Sequence, residues 1–162
     1  SIGLNIIMAQ SGMFVAASSM TYYPYKHIFT RISGMDNIYK GMSSFIVEMS
    51  ELRNILQRCD KYSLVLGDEI CNGTEAISAL AIVAAGIDTL VKKQSSFIFA
   101  THLHKLHELI NHNSVKFCHL HVEITNNNII YHRTLYDGIG SSLYGLEVAK
   151  YLINDAKQIR TS

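Results

Sequence analysis

Two pairs of residues in this chain are of types that could do chemistry together. Asp68-Glu69 closes the apolar run Ser63-Leu64-Val65-Leu66-Gly67, and Thr101-His102 follows Ser96-Phe97-Ile98-Phe99-Ala100. Magnesium takes hard oxygen ligands, keeps several waters and is usually completed by substrate phosphates. Asp68 suits that role. Glu69, one residue further on, is placed to orient or deprotonate an attacking water. His102 could donate to a terminal phosphate oxygen or to the same water. Plainer uses exist for each: acidic pairs at strand ends are common, and a strand-end histidine often serves only as a structural donor.

Other constellations compete. His102, His104 and His107 with Glu108 could supply nitrogen and oxygen ligands to zinc, and His119-x-His121 could project from one side of a strand. Neither an HExxH motif nor supporting cysteines accompany them. Ser43 with His102 and an acid could form a nucleophilic triad, but no GxSxG elbow frames a serine. None of the ten glycines starts GxxxxGK[ST], so no loop in this sequence cradles phosphate with backbone amides and a lysine.

The elements that must position Asp68-Glu69 and His102 follow from hydrophobic pattern. Residues 2–14 carry apolar side chains at helical spacing, and Ile28–Ile32 is short and β-prone. Phe45, Met49, Leu52, Ile55 and Leu56 make an apolar stripe that runs out to Cys59, with Ser43 or Ser44 as a cap. Tyr62–Leu66 is continuous rather than alternating, as a strand covered on both faces should be. A helix over Glu75–Lys92, a second buried-type strand over Ser96–Ala100 and a helix over 104–111 follow. Strand, helix, strand, helix predicts an α/β fold with right-handed crossovers and a parallel sheet. Ligands of such sheets sit at the carboxyl ends of the strands, where both reactive pairs fall. Beyond residue 117 the character changes. Cys118, Leu120, Val122 and Ile124 alternate with His119, His121 and Glu123, a half-exposed strand. Asn126-Asn127-Asn128 then turns the chain into a hairpin partner over Ile129–Leu135. Ser141-Ser142 opens a last helix.

Bulk properties narrow the class. The 162 residues are enough for one domain with a proper core, and no linker separates a second. Charged residues make up 17% of the chain, against roughly 25% in ordinary soluble domains. That deficit predicts extensive burial or a surface that meets a partner. The formal net charge is +1, so charge gives no support to direct nucleic-acid binding by this stretch. Cys59, Cys71 and Cys118 have no paired spacing, which points to an intracellular, reducing compartment. No apolar segment approaches the roughly 20 residues of a membrane span.

In order and spacing, the motifs resemble the MutS family of DNA mismatch-repair ATPases, in their C-terminal ABC-type ATPase domain. Ile28-Phe29-Thr30-Arg31-Ile32 resembles the family's IFTRI stretch, with Asp36 as the acid that follows. Gly41-Met42-Ser43-Ser44-Phe45-Ile46-Val47-Glu48-Met49 resembles its GxSTFxxEM signature, and Ser63–Glu69 its Walker B strand. Gly73-Thr74, Ala100-Thr101-His102, Glu108-Leu109, Asp137-Gly138 and Ser142–Ala149 resemble its GRGT, ATH, EL, DG and SYGxxVA segments. The likeness covers nearly the whole chain.

The resemblance implies a P-loop NTPase-like fold and an ATPase using ATP and Mg2+. Residues 1–162 would be a partial domain, truncated at its N-terminus after the phosphate-binding loop, with mismatched DNA gripped by domains further upstream. It also implies a head-to-tail dimer with a second MutS-like subunit, homo- or heteromeric, and no membrane partner. Ser43 would reach the γ-phosphate held by the partner, and Phe45 would set that loop. Asp68 would hold magnesium through water, Glu69 would position the hydrolytic water, and His102 would sense the terminal phosphate. Arg31 and Asp36 would couple site to interface. Met42 stands where the family commonly has arginine, and Cys71-Asn72 where it has glycine-arginine. The alternatives are a scaffold relative without turnover, against which Glu69 and His102 argue, and an ABC-type ATPase of another branch, from which Ser43-Ser44-Phe45 with Glu48-Met49 points away.

Overall fold

The computed structural model describes residues 2–32, 44–125 and 128–140, and the chain divides into two units, Ser1–Ile110 and Asn111–Ser162. The expected cap at Ser43, Asp36, the signature residues 41–43 and the last helix from Ser141 lie outside the described residues.

The first unit is built on three parallel strands, β1 (His27–Ile32), β2 (Ser63–Asp68) and β3 (Ser96–Ala100), in the order β1-β2-β3. Ile32 pairs with Asp68, and Asp68 with Ala100, so the three strands end together. Helix α2 (Ser44–Arg58) connects the first two strands and α3 (Ala76–Lys92) the next two. Sequential strand order with crossovers of one hand keeps both helices on one face. There Ile55, Cys59, Val65 and Leu90 are buried together, with Phe29, Leu56, Phe97 and Phe99 packed against them. Alternation turns Leu66 to the other face, where Gly3 of α1 (Ile2–Gln10) comes so close that a Cβ on it would strike Leu66 Cδ1. Helix on both sides explains why β2 is apolar without alternation. The chain enters β2 through a knot of polar bonds: Asp60 Oδ1 accepts from the Ser63 hydroxyl at 2.7 Å and from the Tyr62 N–H at 2.9 Å. Lys93 Nζ donates to the Gln57 and Cys59 carbonyls, both at 3.1 Å, closing the end of α2.

Two expectations change. β3 is half-exposed rather than buried, with Ile98 open to solvent, because among the described residues it is paired along one edge only. The helix expected over 104–111 is the single turn α4 (Leu106–Leu109), which the extended backbone of Ile110 ends.

The second unit contains an antiparallel hairpin of β4 (Cys118–Thr125) and β5 (Asn128–Asp137), the latter longer than the pattern predicts. The register slips between Leu120 and Val122, and across from that slip Arg133 takes a left-handed backbone, φ 51°. His121 and His132 stack with ring centres 5.2 Å apart, and His132 Nε2 lies 3.2 Å from Glu123 Oε2. Leu120 and Leu135 are exposed, so neither is the buried face that alternation predicts.

Candidate functional site

Parallel pairing brings the ends of β2 and β3 side by side, and the reactive pairs with them. Asp68 is the last residue of β2, exposed, with no side-chain hydrogen bond or ion pair among the described residues. The Glu69 N–H donates to the Ala100 carbonyl at 2.9 Å, extending the ladder by one residue. At that point the backbone leaves the strand: Glu69 has φ 49°, in the left-handed region that L-residues enter at a cost of roughly 1–2 kcal/mol. The turn swings its side chain toward the end of β3, where His102 Nε2 lies 2.7 Å from Glu69 Oε1. A carboxylate only accepts, so the imidazole donates through Nε2. Its side chain is 83% exposed against 37% for Glu69, so the pair faces solvent.

The turn after Glu69 is held from several sides. Asn72 N–H donates to the Glu69 carbonyl at 3.2 Å, and Asn72 Nδ2 to Glu69 Oε2 at 3.0 Å. Cys71 is also left-handed, φ 67°, at the position where the sequence resemblance places glycine. Its N–H donates to Glu48 Oε1 at 2.8 Å. Glu48 comes from α2 and is only 5% exposed. Arg31 NH2 stands 3.8 Å from the same oxygen, and Arg31 Nε lies 3.1 Å from Glu51 Oε2. Nε is buried and has no hydrogen-bond partner among the described residues, so the contact with Glu51 is Coulombic attraction between misaligned groups. Burial pushes the Cys71 thiol up to about 11, with the Glu48 charge adding to the shift and Arg31 opposing it.

Glu48 and Asn72 are the two residues of this region that the sequence reading missed. Glu48 carried a signal: it lies three residues after Phe45 and four before Leu52, on the apolar stripe, where a carboxylate must find a partner. Asn72 carried one as well, its departure from the arginine that the family resemblance places there, but that departure did not point to Glu69.

A cleft of about 160 Å3 opens here, lined by Glu69, Asn72, Thr74, Thr101 and His102 among others, and no lysine or arginine among the described residues lines it. With Asp68 beside it, the described residues of the site offer two carboxylates and no lining cation. Those hard oxygens fit a divalent ion of the magnesium kind, which needs only one or two protein carboxylates. Among the described residues no group of three or more His, Cys, Asp or Glu is gathered to hold a metal, and His107 Nδ1 is engaged by the His104 carbonyl at 2.6 Å. Phe45 is half-buried in the first turn of α2 and does not line the cleft. A wider groove of about 430 Å3 runs past Phe29, Arg31, Glu51 and Asn54, but its two charged groups are already paired with each other. The structure thus brings Glu69 and His102 together with Asp68 next to them, while Ser43 is outside the described residues.

No helix among the described residues is long and apolar enough to cross a membrane. The family described as MutS domain V matches residues 1–161. The chain is 48% identical over 157 residues to the mitochondrial DNA mismatch repair protein mutS homolog of Sarcophyton glaucum, covering 96% of this chain and 16% of that protein. A mutS homolog of Acanthamoeba polyphaga mimivirus is 46% identical over 167 residues, 98% of this chain and 15% of the other. The DNA mismatch repair protein MutS of Alkaliphilus metalliredigens is 40% identical over 151 residues, 92% of this chain and 17% of that protein. The chain spans about a sixth of the length of these relatives. With a match along nearly its whole length and the strand-end carboxylates and histidine in their expected order, the chain belongs to the MutS family, as its domain V.

Proposed function

We propose that this chain supplies the water-activating side of an ATP-hydrolysing site in a DNA mismatch-repair protein. The observation that carries the reading is the Glu69–His102 pair, 2.7 Å apart at the ends of adjacent parallel strands with Asp68 alongside. Asp68 would hold Mg2+, which when bound would offset the charge of the phosphates. Glu69 accepts a proton from water as the water oxygen bonds to the γ-phosphorus. The bond between that phosphorus and the bridging oxygen then breaks, and ADP leaves with the electron pair. His102 has two duties in sequence. It orients Glu69 through Nε2–H, and on letting go it has a donor for a phosphate oxygen. Phe45, at the start of α2, would help set the loop that carries Ser43, which would serve the γ-phosphate of a second MutS-like subunit. Mismatched DNA is the partner that nucleotide state would answer to, through other parts of the protein, as the relatives' names suggest for them.

The test is phosphate release by the full-length protein, with Mg2+ and with EDTA. Hydrolysis should need Mg2+. Glu69→Gln should lower kcat by about 10²–10⁴-fold, the usual worth of a positioned general base, while ATP still binds. Hydrolysis by Glu69→Gln at the parent rate would refute the assignment. A scaffold without turnover is the second reading, and complete absence of Mg2+-dependent hydrolysis in the folded, nucleotide-binding protein would favour it.

A further inference from the structure

We infer that Asn72 is a positioning residue for Glu69, an inference that rests on the ATPase reading above. The two oxygens of the Glu69 carboxylate are held by different elements. His102, at the end of β3, holds Oε1 at 2.7 Å, and Asn72, three residues along the turn, holds Oε2 at 3.0 Å. One donor alone would leave the carboxylate free to swivel about its own axis. Two donors on opposite oxygens fix its plane and leave lone pairs on each oxygen for a water. Asn72 itself is placed by the backbone bond from its N–H to the Glu69 carbonyl, so donor and acceptor sit within one turn. That turn is anchored in turn by Glu48 on the Cys71 N–H. Both Asn72 and His102 line the cleft into which Glu69 faces.

The arrangement also assigns a division of labour. If His102 gives up Glu69 to reach a phosphate, Asn72 is the donor that remains, and the carboxylate stays aimed at the water. A neutral amide suits this place because it can donate without adding a positive charge that would lower the basicity of the carboxylate toward water. Aspartate at the same position has the same shape, no donor, and a like charge facing Glu69.

Kinetics and nucleotide-free stability of the full-length protein together test the idea. Asn72→Ala should lower kcat by about three- to tenfold, the worth of one hydrogen bond, with KM for ATP unchanged. Asn72→Asp should be slower still. A residue that only fills space gives the opposite order, because aspartate keeps the shape that alanine loses. In the nucleotide-free protein Asn72→Ala should lower Tm by about 1–4 °C, and this loss should vanish in a Glu69→Ala background. If the parent protein hydrolyses ATP but Asn72→Ala matches it in kcat, or Asn72→Asp outperforms Asn72→Ala, the positioning role is overturned and the assignment of Glu69 stands. If the parent protein does not hydrolyse ATP, both fall.

Discussion

Truncating Glu48 is the sharpest test of how this site is built. Its carboxylate, 5% exposed, receives the Cys71 N–H at 2.8 Å and stands 3.8 Å from Arg31. Glu48→Ala leaves the Cys71 N–H without its acceptor, a loss of about 1.5–3 kcal/mol for a bond to a charged group. It also strips Arg31 of one of its two acidic neighbours among the described residues. Breaking a fully buried ion pair costs about 3–5 kcal/mol, but here Glu51 remains 3.1 Å from Arg31 Nε and is half-exposed. The total should therefore be about 3 kcal/mol. Glu48→Gln keeps an oxygen that can accept from Cys71 and loses only the charge, so about 1 kcal/mol is expected. Urea unfolding followed by far-ultraviolet circular dichroism reads the difference. With a slope of about 2 kcal/mol per molar, the alanine variant should melt about 1.5 M earlier and the glutamine variant about 0.5 M earlier. A loss under about 0.5 kcal/mol for Glu48→Ala would refute the claim that the turn hangs on this residue. Equal losses for both variants would show that charge pairing with Arg31, not the bond to Cys71, is what matters.

Gly67 precedes Asp68, and a Cβ on it would overlap Ile70 Cδ1 and stand 2.8 Å from Phe99 Cδ1. Gly67→Ala should cost about 1–3 kcal/mol by overpacking, read as a lower Tm; an unchanged Tm would show that the two side chains repack freely. Cys71 is 1% exposed and its thiol lies near 11 against an ordinary 9.0, so at pH 8 iodoacetamide should modify exposed Cys118 and leave Cys71 intact in the folded protein. Because the folded value is raised, the stability Cys71 contributes is complete below pH 9.0 and lost as pH climbs through about 11. Glu48→Gln removes the carboxylate charge that adds to the rise of the thiol, so alkylation of Cys71 above pH 9 should quicken. Unchanged labelling there would leave burial as the whole cause.

Parts of this architecture were legible because one physical signal dominated each. Ser63–Leu66 has no polar alternation, and the structure puts helix on both of its faces; Ala76–Lys92 has the length and period of a crossover helix. That Asp68-Glu69 and His102 fall at the same end of the sheet could be placed from the order strand, helix, strand, since parallel neighbours end on the same side; the direct bond between Glu69 and His102 was not foreseen. What could not be read was what covers a surface. Leu120 and Ile98 belong to apolar patterns yet are exposed among the described residues, and pattern alone reports a preference for burial, not the partner that satisfies it. The left-handed backbones of Glu69 and Cys71 were equally silent. Glycine or asparagine usually announces that region, and here glutamate and cysteine occupy it.

Those two backbone conformations explain each other when their anchors are traced. Strained φ values persist only where the surroundings over-determine them. Glu69 is tied at its N–H to Ala100 of β3, at its carbonyl to the Asn72 N–H, and at its carboxylate to His102 and Asn72. Cys71 is tied at its N–H to Glu48 of α2 and at its carbonyl to the Thr74 N–H at 3.4 Å. The turn is thus strung between β3 on one side and α2 on the other, and neither alone would hold it. Replacing cysteine by glycine at 71 would relieve one strained residue but empty a fully buried side-chain site beside Glu48. The direction of Glu69 is therefore a property of three elements together, which is why the carboxylate at the end of this apolar run is aimed and held only where those elements meet.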